Sequence, residues 1–304
     1  MITRIGLDPL VQLRRNKPLT FHGLACVPTT VSRLMTPNAK CTEATTARGF
    51  TLIELLVVLA VLSLLALTLW PAMAGTSVKS HQAQCLNNLK QLTRAWHMYA
   101  DDNNGRLAGN LGGGASRDIT NLKKTWVLGW LSLNSVVDNF RIEYLTNAQL
   151  GPYARDILIY KCPADRSTYA GHPRIRSVSM NGYLGDLNGG SKTAGYRQYK
   201  KTSSIVSPAA TWVFIDERED TINDGFFYVD MRGFGNPPTT YIGDYPAAWH
   251  NVSCSLSFAD GHVEAHQWLD PRTTYMPIGI PTSAIPSPNN PDMDWLMAHS
   301  TAPE

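Results

Sequence analysis

The 304-residue sequence has little net charge: 27 lysines and arginines against 24 acidic residues leave +3. A nucleic-acid face needs clustered basic side chains, and the scattered aromatics here have no basic residues interleaved with them. Disorder requires low hydrophobicity with a large net charge, whereas 43% of these residues are apolar. Glycine and proline follow no period, so a collagen-like repeat is excluded. Also missing are a nucleophile motif, a phosphate loop, a dinucleotide fingerprint and closely spaced zinc ligands. The chain reads as one or two ordered domains without a familiar catalytic signature, and an enzyme is not expected.

The most informative absence is local: no charged residue occurs between Glu54 and Lys79. Ahead of it, residues 1–49 hold seven basic side chains, among them Arg14, Arg15, Lys40 and Arg48, against only Asp8 and Glu43. The run Leu55 to Trp70 is almost wholly apolar, and the uncharged stretch is long enough to cross about 30 Å of hydrocarbon at 1.5 Å per residue. Residues 50–74 are therefore expected to form a single transmembrane helix. A secretory signal peptide is the competing reading, but its apolar region is about 7–15 residues long and ends in a small-residue cleavage site. Glu54 lies just inside the apolar run, where an unpaired charge costs a few kcal/mol. Its presence calls for a partner.

The stretch Arg48-Gly49-Phe50-Thr51-Leu52-Ile53-Glu54-Leu55-Leu56-Val57-Val58 resembles the cleavage and methylation segment of type IV pilins and type II secretion pseudopilins. The resemblance implies cleavage between Gly49 and Phe50 by a prepilin peptidase on the cytoplasmic side, and N-methylation of the new Phe50 amine. It implies that Glu54 pairs with the N-terminal ammonium of a neighbouring subunit during assembly, so that two charges costly alone become tolerable together. Pro71 falls where many members carry a helix-kinking proline. The partners implied are other pilin or pseudopilin subunits, the peptidase and methylase, the secretion or pilus assembly machinery and the membrane. No nucleic-acid partner is indicated. A 49-residue leader is long for this family, and a start at Met35 would give an ordinary one, making residues 1–34 a matter of start-codon choice. Cleavage removes seven basic and two acidic side chains and turns the net charge to −2. The expected location is a single inner-membrane pass, with the N-terminus cytoplasmic before cleavage and the head periplasmic, then in a filament.

Beyond the apolar run, Val78, Cys85, Leu86, Leu89, Leu92, Trp96 and Tyr99 recur at three- and four-residue spacing, which predicts an amphipathic continuation over residues 75–104. Asp101 to Gly105 supply its stop. Residues 105–304 are read as a globular head with a proline-rich tail extended over its surface. Strands are expected at Trp126–Leu131, Ile157–Tyr160, Arg174–Met180, Thr211–Asp216, Phe226–Asp230, Ser253–Ala259 and His262–Trp268. The fold class is α+β: a long N-terminal helix packed on an antiparallel sheet, as in pilins.

Near the C-terminus Cys254, Leu256 and Phe258 alternate with serines, the pattern of a half-buried strand, and Asp260-Gly261 suits a two-residue type I′ turn. His250, Asp260 and Gly261 match a His, nine residues, Asp-Gly pattern of pilin-like families. Ten extended residues span about 33 Å, so a site shared by His250 and Asp260 would need a sharp bend after His250. The simpler reading is a turn at one end and a sheet-entry histidine at the other.

Two metal arrangements can be drawn. His262, Glu264 and His266 alternate on one strand face and would need a further ligand such as His250 or Asp270 for zinc, against a plain solvated face with Val263 and Ala265 inward. Asp216, Glu217, Asp220 and Asp224 make an oxygen-rich loop of the kind that holds calcium, the one cofactor considered, although Ile222 breaks the alternate spacing of an EF-hand loop. In the oxidising compartment implied by the resemblance, Cys254 is read as a buried apolar residue, and Cys85 with Cys162 as a disulfide tying helix to head. Two functions follow: a filament subunit, or a membrane-tethered periplasmic metal- or ligand-binding protein or hydrolase that uses a prepilin-like segment for export.

Overall fold

The computed structural model describes residues 51–133, 137–187, 194–274, 279 and 284–304, without the side chains of residues 66–77. The leader, Gly49 and Phe50 lie outside these residues, as does the side chain of Pro71. In chain order the helices are α1 (Leu52–Asp102), α2 (Glu143–Thr146), α3 (Pro271–Thr274) and α4 (Pro291–Ala298). The strands are β1 (Thr168–Tyr169), β2 (His172–Pro173), β3 (Val178–Asn181), β4 (Trp212–Asp216), β5 (Phe226–Phe227), β6 (Tyr241–Ile242), β7 (Ser253–Phe258), β8 (Val263–Gln267) and β9 (Ile285–Pro286). This is a mixed α+β fold. Its main sheet has the order β5-β3-β4-β7-β8, antiparallel except for the parallel β3–β5 pair.

The C-terminal half of α1 packs on this sheet. Cys85, Leu89, Leu92, Trp96 and Ala100 are buried at three- and four-residue spacing, while Lys90, Gln91 and Arg94 stay exposed. Each large apolar side chain so buried contributes roughly 1.5–3 kcal/mol. The helix ends where Asn104 and Gly105 adopt positive φ and the Gly105 N–H donates to the Ala100 carbonyl. Earlier in the helix, every described side chain from Leu52 to Leu65 is exposed. Among the described residues no helix is long and apolar enough to cross a membrane, and the run read as a span continues through residues 66–74, whose side chains are outside that set.

The sheet is covered on both faces. On β4, Phe214 joins the core beneath α1, while Trp212 and Ile215 face a second core, a bulge between Trp212 and Phe214 adjusting the register. By the same alternation Asp216 shares the helix-facing side with Phe214. On β7, Cys254, Leu256 and Phe258 enter the second core, and the intervening serines are also buried, which differs from the half-buried strand expected. Gln82 of α1 donates to Ser253 Oγ, and serines are small enough to let the helix lie close.

The tail is not an extended surface strap. Pro291 starts α4 at the position where its fixed φ suits a helix, and Met293, Leu296 and Met297 plug the second core. Asn290 Oδ1 caps the backbone N–H groups of Asp292 and Met293, and its Nδ2 donates to Thr273 Oγ1 and Ser287 Oγ. Asn290→Ala should therefore cost about 1–2 kcal/mol, read as a lower urea midpoint at unchanged slope.

Two expected strands are absent. Trp126–Leu131 is an irregular segment whose Trp126 N–H bonds to the Gly109 carbonyl, and Ile157–Tyr160 is a 3₁₀ turn started by the Asp156 carboxylate on the Leu158 N–H. The β7–β8 connection also differs. Only Gly261 has positive φ, and the Gly261 N–H donates to the Phe258 carbonyl, giving a three-residue loop with glycine in the left-handed position in place of a type I′ turn.

Candidate functional site

Thr51 is the N-cap of α1. Its Oγ1 accepts from the Glu54 N–H at 3.3 Å, and Glu54 Oε2 accepts from the Thr51 N–H and hydroxyl, both at 2.8 Å. This reciprocal capping box satisfies donors that a helix start otherwise leaves unpaired. It also holds the Glu54 carboxylate against Thr51. Oε2 takes both Thr51 donors, and Oε1 takes no donor among the described residues.

The second site lies in the head. Among the described residues, one grouping of three or more histidine, cysteine or acidic side chains has metal-ligand proximity: Cys85, Cys162, Asp216 and His250, with ligand atoms all within 4.8 Å of one another. All four residues are buried. Each comes from a different element. Cys85 belongs to the apolar stripe of α1, and Cys162 follows the 3₁₀ turn, its N–H donating to Ser177 Oγ. Asp216 ends β4 on the helix-facing side, and His250 precedes β7. The bend after His250 is sharp: Asn251 and Val252 have φ of 57° and 63°, a conformation that a β-branched valine rarely adopts. Trp268 N–H and Ser253 Oγ fasten it, donating to the carbonyls of Val252 and His250.

Within the cluster, Cys85 Sγ donates to Asp216 Oδ2 at 2.8 Å, and Cys162 Sγ lies 3.2 Å from His250 Nε2. Among the described residues, Asp216 Oδ1 and His250 Nδ1 are buried without a hydrogen-bond partner of sound geometry. Burial pushes the Cys85 thiol well above the usual range and raises the Asp216 carboxyl to about 7. It also raises Cys162, against which the backbone N–H groups of Ala164 and Asp165 favour the thiolate. His250 is held below its usual value by burial and by His81 nearby.

Cys85 and Cys162, expected as a disulfide, are thus brought together, but as free thiols. The oxygen-rich loop is not gathered on one point. Asp216 faces Cys85, Glu217 Oε2 accepts the Ser179 hydroxyl, and Asp220 pairs with Arg218. Asp224 accepts the Gly113 and Phe226 N–H groups, while Ile222, the residue that breaks the calcium spacing, anchors the turn in the interior. On β8, His266 stacks on Trp295 of α4, His262 stacks on Phe258 and pairs with Asp260 at 2.6 Å, and Ala265 is exposed. Val263 packs against the core beneath α1 and His262 is exposed, as expected; the departures are His266, which α4 covers, and Ala265. Asp260 and Gly261 stand at the opposite end of β7 from His250.

Glu217, Asp224 and Asp244 form a buried acidic set near Arg176. Burial raises all three, Asp224 to about 6. A carboxyl with a raised native pKa stabilises the fold fully below the unfolded value near 4 and loses that contribution as pH rises through the native value. Head stability should fall as pH climbs from about 4 toward about 8, the value to which burial raises Asp244, and Asp244→Asn, which keeps an acceptor for the Tyr228 N–H, should flatten the decline. Urea midpoints from pH 4 to 9 check this; equal slopes for the two chains would contradict it.

Comparison with known families gives two matches. Residues 45–70 match the prokaryotic N-terminal methylation motif, and residues 80–207 match a family described as Protein of unknown function (DUF1559). The second match contains Cys85 and Cys162 and ends before Asp216 and His250. No curated protein matches, and no solved structure matches. The first match spans Gly49, Phe50 and Glu54 and marks a membrane-anchored, exported protein. The chain thus carries the N-terminal methylation signature of type IV pilins and pseudopilins, followed by a stretch, residues 80–207, that is similar to the DUF1559 family.

Proposed function

We propose that the chain is a pseudopilin-like subunit, cleaved after Gly49 and N-methylated at Phe50, that assembles through α1 into a type II secretion pseudopilus or a type IV pilus-like filament. The observation that carries this reading is an exposed apolar helical run, Leu52 to Leu65, that opens on Glu54 inside the methylation motif. A contiguous apolar surface of that length needs lipid or protein around it. In the inner membrane it would be the anchor, with the head in the periplasm; in a filament, like helices from other subunits would cover it.

Glu54 supports the same reading. An unpaired carboxylate within the apolar layer costs about 2.5–3.5 kcal/mol on insertion scales. The capping box uses Oε2, which leaves Oε1 for the methylammonium of a neighbouring Phe50. Prepilin peptidase, other pilin-type subunits and the assembly machinery are the partners this requires.

Immunogold labelling of sheared surface material, with antibody against the head, tests assembly. Labelled filaments in a host with prepilin peptidase, and none in a host lacking it, are expected. Chain confined to the membrane in both hosts would contradict the proposal.

A further inference from the structure

We propose that Cys85, Cys162, Asp216 and His250 form a structural zinc site that fastens α1 to the sheet. The inference stands on the geometry of the head and is independent of filament assembly.

Chemistry selects the ion. Two sulphurs and an imidazole favour zinc over the hard cations magnesium and calcium, which take oxygen ligands. With zinc bonds of about 2.3 Å to sulphur and 2.0–2.2 Å to nitrogen or oxygen, the edges of a tetrahedral site run from about 3.3 to 3.8 Å. The Cys85–Asp216 and Cys162–His250 separations are 2.8 and 3.2 Å, and every pair lies within 4.8 Å. Shifts of under about 1 Å would therefore seat an ion. Four protein ligands close the coordination shell, which is the structural rather than the catalytic pattern.

Burial argues in the same direction. Two thiols, a carboxyl and an imidazole occupy the interior, the Cys85 thiol facing Asp216 and the Cys162 sulphur facing His250. Among the described residues, Asp216 Oδ1 and His250 Nδ1 make no hydrogen bond of sound geometry. A Cys85–Cys162 disulfide would consume both thiols and remove the hydrogen-bond donor now facing Asp216, leaving that carboxyl buried and less satisfied. Binding an ion instead uses all four side chains, with both thiols releasing their protons to solvent as the sulphur–zinc bonds form. Of the four side chains, His250 forms part of the wall of a cleft of about 480 Å³ between α1 and the β7–β8 hairpin, lined also by Lys79 and Gln82.

The site would link four separate stretches of chain at one point. The positive φ values at Asn251 and Val252 are the local cost of aiming His250 at that point.

Elemental analysis of the full-length chain, purified in detergent from zinc-supplemented cells, is the test. One zinc ion per chain is expected, falling to near zero in Cys162→Ser and His250→Gln. Strong chelation should lower the unfolding midpoint of the parent chain by roughly 10 °C. To separate metal loss from misfolding, the unmodified chain is also reconstituted with cobalt(II), where sulphur-to-cobalt charge-transfer absorption and tetrahedral ligand-field bands are expected. A Cys85–Cys162 disulfide in exported material, free thiols that stay metal-free after zinc addition, or a cobalt spectrum without the sulphur bands would each overturn the proposal.

Discussion

Changing Glu54 to alanine should leave cleavage after Gly49 intact and reduce incorporation into filaments by roughly 100-fold, the factor equivalent to one unpaired charge on insertion scales. Alanine removes both the charge and the helix cap, and the cap alone is worth about 1 kcal/mol. Glu54→Gln separates the two contributions. Glutamine can still accept from the Thr51 N–H and hydroxyl, so it keeps the reciprocal cap seen at 2.8 Å, but it offers no charge to a neighbouring methylammonium. Both variants should therefore fail to assemble. Quantifying sheared filament against total processed chain gives the ratio; a glutamine variant that assembles like the parent would reduce Glu54 to a cap.

Trp126→Ala should destabilise the head by about 3–5 kcal/mol, a large part of the 5–15 kcal/mol that such a domain possesses. Trp126 is fully buried and packs against Phe214 and Tyr160, with ring centroids 5.0 and 6.1 Å away. Its Nε1 donates to both Asn110 Oδ1 and the Gly225 carbonyl, joining three segments that lie in no common element. Trp126→Phe preserves much of the apolar contact but leaves those two acceptors without their donor, at about 1–3 kcal/mol. Urea titration of the two variants should rank them in that order, and a phenylalanine variant as stable as the parent would mean that the indole N–H contributes nothing.

The parts of this protein legible in the sequence are those encoded by short-range pattern. The three- and four-residue spacing from Cys85 to Trp96 placed the buried stripe of α1, and Asp101 to Gly105 placed its end. Alternation along β7 and the Asp-Gly pair located the last hairpin to within a residue or two. The methylation motif was readable because its residues are contiguous. The capping box is also legible, since Thr51-Leu52-Ile53-Glu54 has its spacing, so Glu54 carries a local role beside its charge.

The cluster of Cys85, Cys162, Asp216 and His250 was not legible as a unit. Its members lie tens of residues apart on a helix, a loop, a strand end and a turn, so no local spacing announces them. Sequence reasoning paired the two cysteines and met Asp216 and His250 only as parts of other patterns. The available clue was the bend: a site at His250 required a sharp turn immediately after it, and Asn251 and Val252 provide one. The covered His266 of β8 and the buried serines of β7 have a common cause in what lies over them. Strand alternation shows that two faces differ, but not that α4 will cover one and α1 the other.

Mass spectrometry of the N-terminal peptide of the mature chain, from a host with prepilin peptidase, tests the central claim most directly. The account predicts a chain that begins at Phe50 and carries a single methyl group on its α-amine. A mature chain that begins downstream of the apolar run, near Ala74, or that keeps its leader uncut would contradict it.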